Sequence, residues 1–143
     1  MIYSITSHTS KICLILFIHR TLSWLVHPPT PLDFVRNYIT LLEWDGCLSA
    51  AALHEIDEVA QFLTELSVCD YYFVTRKPSS IAMGAIHTAF GNIGETTLPL
   101  HVRHIFFKRV HMIAGIDPFS LEVEECMDRF IKTCLSDLYQ STN

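Results

Sequence analysis

The chain has 143 residues, enough for one domain with a proper core. Half of its residues are hydrophobic and its mean hydropathy is +0.29, which implies either a compact helical bundle or an apolar patch that a partner covers. Its formal charge of −5 argues against a dedicated nucleic-acid binder, because phosphate contacts need a basic surface.

Residues 1–10 are rich in Ser and Thr and have no period, which predicts a loose tail. Residues 11–27 read as an N-terminal helix, with Ile12, Ile15, Leu16, Leu22 and Leu25 at three- and four-residue spacings. The apolar run Ile12–Ile18 is too short to span a membrane, and no small-residue cleavage site follows it, so a buried helix is expected there. Pro28 and Pro29 must end that helix. The remainder, 28–143, reads as one helical domain.

Thr30, Pro31 and Asp33 open its first helix as N-cap, first position and capping-box acid. Phe34, Val35, Tyr38, Ile39, Leu41 and Leu42 form the expected core face. Trp44-Asp45-Gly46 ends the element, with Gly46 as the expected C′ residue. The second helix is expected over about 51–72. Leu53, Ile56, Val59, Ala60, Leu63 and Leu66 make its apolar stripe, and His54, Glu55, Asp57, Glu58 and Gln61 its wet face. A turn at Arg76-Lys77 leads to Pro78 as the first residue of a third helix. That helix carries Ile81, Ala82, Ala85, Ile86, Ala89 and Phe90 and is apolar enough to be a buried hub. Gly91-Asn92-Ile93-Gly94 breaks it. A fourth helix is expected over about 99–114, stopped by Gly115, with Leu100, Val102, Ile105, Phe106, Val110 and Ile113 apolar. Asp117-Pro118 opens the fifth, with Ser120 as the alternative cap, and Val123, Met127, Phe130, Ile131, Cys134 and Leu138 form its stripe. No run has the alternation of a strand.

Candidate chemistry is sparse. His101, His104 and His111 on the fourth helix could ligate a metal, but the spacing matches no zinc signature and Arg103, Lys108 and Arg109 among them would repel a cation. The expectation is a solvent-facing basic helix that could alternatively meet an acidic or phosphorylated partner. Glu55, Asp57 and Glu58, and Glu122, Glu124 and Glu125, are expected on wet faces rather than as acid/base pairs. Asp70, at a helix end, is expected to hydrogen-bond backbone amides or the Arg76–Lys77 turn. Tyr71, Tyr72 and Phe73 are consecutive and cannot share one face. Cys13, Cys47, Cys69, Cys126 and Cys134 are scattered and contain no CxxC, which predicts reduced thiols, with Cys126 and Cys134 as core fillers. There is no GxSxG and no phosphate-binding loop, so neither an enzyme nor a cofactor is expected.

Two blocks carry a family resemblance. Glu65, Leu66, Asp70, Pro78, Ser79, Ala82, Ala85 and Ala89 resemble the second helical repeat of cyclins. Trp24, Pro28, Pro29 and Thr30 followed by Phe34 resemble the junction between the two cyclin repeats. The resemblance covers about residues 20–140. It implies an all-α, five-helix cyclin-like orthogonal bundle with an additional N-terminal helix. It also implies a non-enzymatic regulatory role toward a cyclin-dependent protein kinase in cell-cycle control, in the nucleus and/or cytoplasm. No small-molecule substrate or membrane is implied, nucleic acid is disfavoured, and self-association is left open. In cyclins most kinase contacts come from the first repeat, and only about two dozen residues precede Trp24 here. Three readings follow: a fragment, an incomplete gene model, or a single-repeat relative. A cyclin-fold adaptor of the transcription-factor kind, and a small helical metal- or ligand-binding protein, are the alternatives of other classes.

Overall fold

The computed structural model describes residues 28–140 except position 45. The expected tail (1–10) and N-terminal helix (11–27), with Cys13 and Trp24, lie outside the described residues. Those that are described form five α-helices and one short 3-10 helix, with no strand among them.

Helix α1 spans Pro31–Glu43 and opens on the expected capping box: Asp33 N–H donates to Thr30 Oγ1 and Thr30 N–H donates to Asp33 Oδ2. Its C-cap is Trp44, so Gly46 lies one position later than expected. Helix α2 spans Ala50–Val68 and is capped by Ser49, whose Oγ accepts from Ala52 N–H. It ends four residues before the expected Tyr72. The reason is Asp70, whose backbone is extended and whose carboxylate accepts from Tyr72 N–H at 3.0 Å. An Asp side chain that bonds its own downstream amide competes with the helical ladder. The chain therefore restarts as a 3-10 helix over Tyr71–Thr75, and its three consecutive aromatics separate. Phe73 is buried and stacked on Phe130, Tyr72 is half-buried, and Tyr71 is exposed.

Helix α3 spans Pro78–Asn92 and is the hub. Residues 80–86, Ala89 and Phe90 are all buried. It packs against α1 and α2 and, most extensively, against α5. The helix continues through Gly91 and Asn92 before it stops at Ile93. Helix α4 spans Leu100–Ala114 and ends at Gly115, whose φ of 64° is the left-handed conformation that glycine adopts without a Cβ penalty. Only Val102, Phe106 and Val110 of α4 are fully buried, whereas Leu100, Ile105 and Ile113 of its expected apolar face are exposed.

Helix α5 spans Leu121–Gln140. Its cap is Ser120 rather than Asp117: Ser120 Oγ accepts from Val123 N–H, while Asp117 Oδ1 accepts from Phe119 N–H in the preceding turn. Pro118 is buried in that turn and does not begin the helix. Cys126 is buried and Cys134 packs against the core from its edge.

Candidate interaction surfaces

Several of the described residues that carry the family resemblance pack within the fold. Pro28 and Pro29 lead exposed into the Thr30 cap. Phe34 lies half-buried against Tyr38, with ring centres 6.2 Å apart. Tyr38 donates its hydroxyl to the carbonyl of Ser79 at 3.3 Å, tying α1 to the first turn of α3, and burial pushes its phenol well above the ordinary value. Pro78 is the first residue of α3 and Ala82 is fully buried within it. Leu66 is half-buried and Glu65 exposed on α2.

Asp70 anchors a polar network between the 3-10 helix and α5. Its carboxylate accepts from Arg129 Nε at 2.7 Å and from Arg129 Nη2 at 3.2 Å, a two-pronged pairing. These bonds, with that from Tyr72 N–H, hold the Asp70 carboxyl below its usual range. The backbone-amide expectation is met, but the charged partner is Arg129 and not the Arg76–Lys77 turn. Arg76 pairs instead with Glu125 at 2.7 Å and donates to the Tyr72 hydroxyl at 3.1 Å. Both guanidiniums lie near the Tyr72 ring, at 4.7 and 5.3 Å from its centre. Glu122 accepts from Lys77 N–H and from the Ser80 hydroxyl. Burial opposes its ionisation, yet these two bonds bring its pKa below the ordinary value. The expected wet face therefore does not hold for Glu122 and Glu125: Glu122 staples α5 to the start of α3, and Glu125 staples it to the end of the 3-10 helix. Asp70, Glu122 and Glu125 each have a partner, so none of them is poised as a general acid or base.

A pocket with a volume of about 200 Å³ is lined by His87, Pro118, Phe119, Val123, Glu124 and Met127. His87 Nε2 lies 2.9 Å from the Pro118 carbonyl, so Nε2 carries the proton of the neutral ring. Its ring stacks on Phe107 at 4.3 Å and meets Phe119 edge-on. Burial lowers the His87 pKa, partly offset by the Pro118 carbonyl. No Ser, Thr, Cys or Lys is among the residues that line this pocket. Burial of the Cys126 thiol pushes it up to about 11, where it is a poor nucleophile.

On α4, His101, His104 and His111 are exposed. No group of three His, Cys, Asp or Glu residues able to hold a metal occurs among the described residues. The basic residues of α4 are not all solvated, which corrects the sequence expectation. Arg103 donates to the carbonyls of Leu98 and Ile93, closing the loop between α3 and α4. Arg109 donates to the carbonyl of Leu41 at 2.7 Å, holding α4 to α1, and lies over Trp44. Residues such as Arg103, Arg109, Arg129 and His87 carry no local signal of these roles, because most of their partners lie far away in sequence.

Compared with known family models, residues 29–140 match the cyclin C-terminal domain. This chain belongs to the cyclin family. Cyclin-A2-3 of Arabidopsis thaliana is 30% identical over 77 residues, which is 54% of this chain and 16% of that protein. The cyclin domain here thus corresponds to a small part of that relative's length. No solved structure matches the chain. Among the described residues, no helix of the cyclin domain is long and apolar enough to cross a membrane.

Proposed function

We propose that this cyclin-family chain is a regulatory, non-catalytic subunit that binds a cyclin-dependent protein kinase and modulates it in cell-cycle control, in the nucleus and/or cytoplasm. The single observation that carries the reading is the cyclin C-terminal domain match over residues 29–140. The chemistry of the sites agrees with it. Asp70, Glu122 and Glu125 are hydrogen-bonded or paired, the buried thiol is poorly nucleophilic, and several large apolar side chains stand exposed, as docking surfaces require. Regulation in this family is allosteric: binding positions a mobile helix and the activation segment of the kinase.

Purified chain, mixed with a purified cyclin-dependent kinase, is expected to be retained by it and to raise its phosphorylation of a model substrate. Retention without a rise in activity would favour the second reading, a cyclin-fold adaptor that docks without activating. That reading draws support from the large apolar side chains left exposed on the domain, which can dock a partner without activating it. Retention of no kinase at all sinks the regulatory reading.

A further inference from the structure

Helix α4 is the outlier of the bundle in both burial and charge. Its 15 residues include three histidines, two arginines and a lysine and no carboxylate, in a chain whose net charge is −5. Its outward stripe follows the helical repeat through His101, Ile105, Lys108 and Met112, with His104 and Ile113 beside it, and all six are exposed. Ile105, Met112 and Ile113 are large apolar side chains left 45%, 72% and 59% exposed. With Lys108 and Arg109 they line one shallow groove, and Trp44, 68% exposed, lies beneath the Arg109 guanidinium at the end of α1.

We propose that this face is a docking surface for an acidic segment of a partner protein, one that presents apolar side chains on one side and carboxylates on the other. The apolar side chains would cover Ile105, Met112 and Ile113, removing them from water. The carboxylates would meet Lys108 and the imidazole N–H groups of the histidine edge, on a helix that carries no carboxylate of its own. An anionic membrane surface is the poorer fit. Two of the three strong cations of α4 are bound to backbone carbonyls, which leaves Lys108 alone outward, and surface binding needs a cluster of basic residues. The proposal does not rest on the kinase reading, since its partner is defined only by chemistry.

The test uses the full chain, isotopically labelled, and a synthetic amphipathic peptide with leucines on one face and glutamates on the other. Amide resonances of Ile105, Lys108, Met112 and Ile113 are expected to shift on titration. Lys108→Glu should weaken binding about fivefold, the scale of one exposed ion pair reversed, and Met112→Asp about tenfold, by loss of apolar contact. Glu58→Lys on α2 should leave binding unchanged. Lys108 and Met112 are exposed, so circular dichroism should show both variants folded; if Met112→Asp unfolds, Lys108→Glu carries the test alone. Four results would overturn the proposal. A peptide with lysines in place of glutamates could bind equally well. The chain could bind phosphatidylserine-containing vesicles but not the peptide. The α4 resonances could depend on protein concentration, showing a second copy on the face. The acidic peptide could bind nowhere, as it would if another part of this chain already covered α4.

Discussion

Gly84 sets how closely α3 and α5 can approach. A Cβ built there would lie 2.9 Å from Cys126 Cβ and 3.2 Å from the Met127 amide nitrogen. Gly84→Ala gains helix propensity, about 1 kcal/mol, but must push against a Cβ and a backbone rather than a flexible side-chain end. The expected net effect is destabilisation by roughly 1–3 kcal/mol, measured by chemical denaturation. Cys126→Ala should not rescue it, because the obstructing atoms survive that change. Asp70 is the second informative residue. Asp70→Ala removes one backbone cap and the two-pronged partner of Arg129, and is expected to cost about 1–2 kcal/mol of stability. The competing outcome is a neutral change, which would mean that the Arg129 pairing is only decorative. Because the Asp70 pKa is lowered on folding, its contribution is present above the unfolded value near 3.8 and is lost as pH falls through the folded one.

At the scale of elements, His87 joins α3, α4 and the turn before α5. Its ring stacks on Phe107 of α4, meets Phe119 of the turn, and bonds the Pro118 carbonyl. Burial lowers its pKa from the ordinary 6.5, so the unfolded chain binds the proton more readily than the folded one. Stability should therefore be full above 6.5 and decline as pH falls below it toward the folded value. Denaturation midpoints at pH 7.5 and 5.5 should differ in this direction, and His87→Gln should reduce the difference, leaving a smaller pH dependence from other groups. The 3-10 helix follows a comparable logic. Its position is secured by the Asp70–Arg129 and Arg76–Glu125 pairs, both of which reach α5. Sequence periodicity alone extends α2 through Tyr72, since a carboxylate's choice between solvent, amide and a distant guanidinium leaves no trace in the hydrophobic pattern.

For the whole molecule, the hub arrangement predicts an order of local stability. Amides of α3, surrounded by α1, α2 and α5, should exchange with solvent slowest, close to the rate of global unfolding, and those of α4 faster. Uniform exchange across both helices would contradict this arrangement. The hub was legible in the sequence because Ile81, Ala82, Ala85, Ile86, Ala89 and Phe90 leave no polar face to expose. The caps at Thr30 and Gly115 and the helix start at Pro78 were legible because they act within a few residues of themselves. The cap at Ser120 was ambiguous beside Asp117-Pro118, because two residues three positions apart offer the same capping chemistry.

The sequence by itself determined the helix count after residue 28, the buried third helix and the family, since each depends on local spacing or on residue order along the chain. Tertiary structure alone decided that Asp70 meets Arg129, that Glu122 and Glu125 are staples, that Arg103 and Arg109 bind carbonyls, and that α4 keeps an apolar, basic face outward. Those outcomes depend on which helix lies beside which. That is a matter of three-dimensional packing, mostly between residues tens of positions apart (the Arg103 partners, Leu98 and Ile93, are nearer), and periodicity carries no information about it.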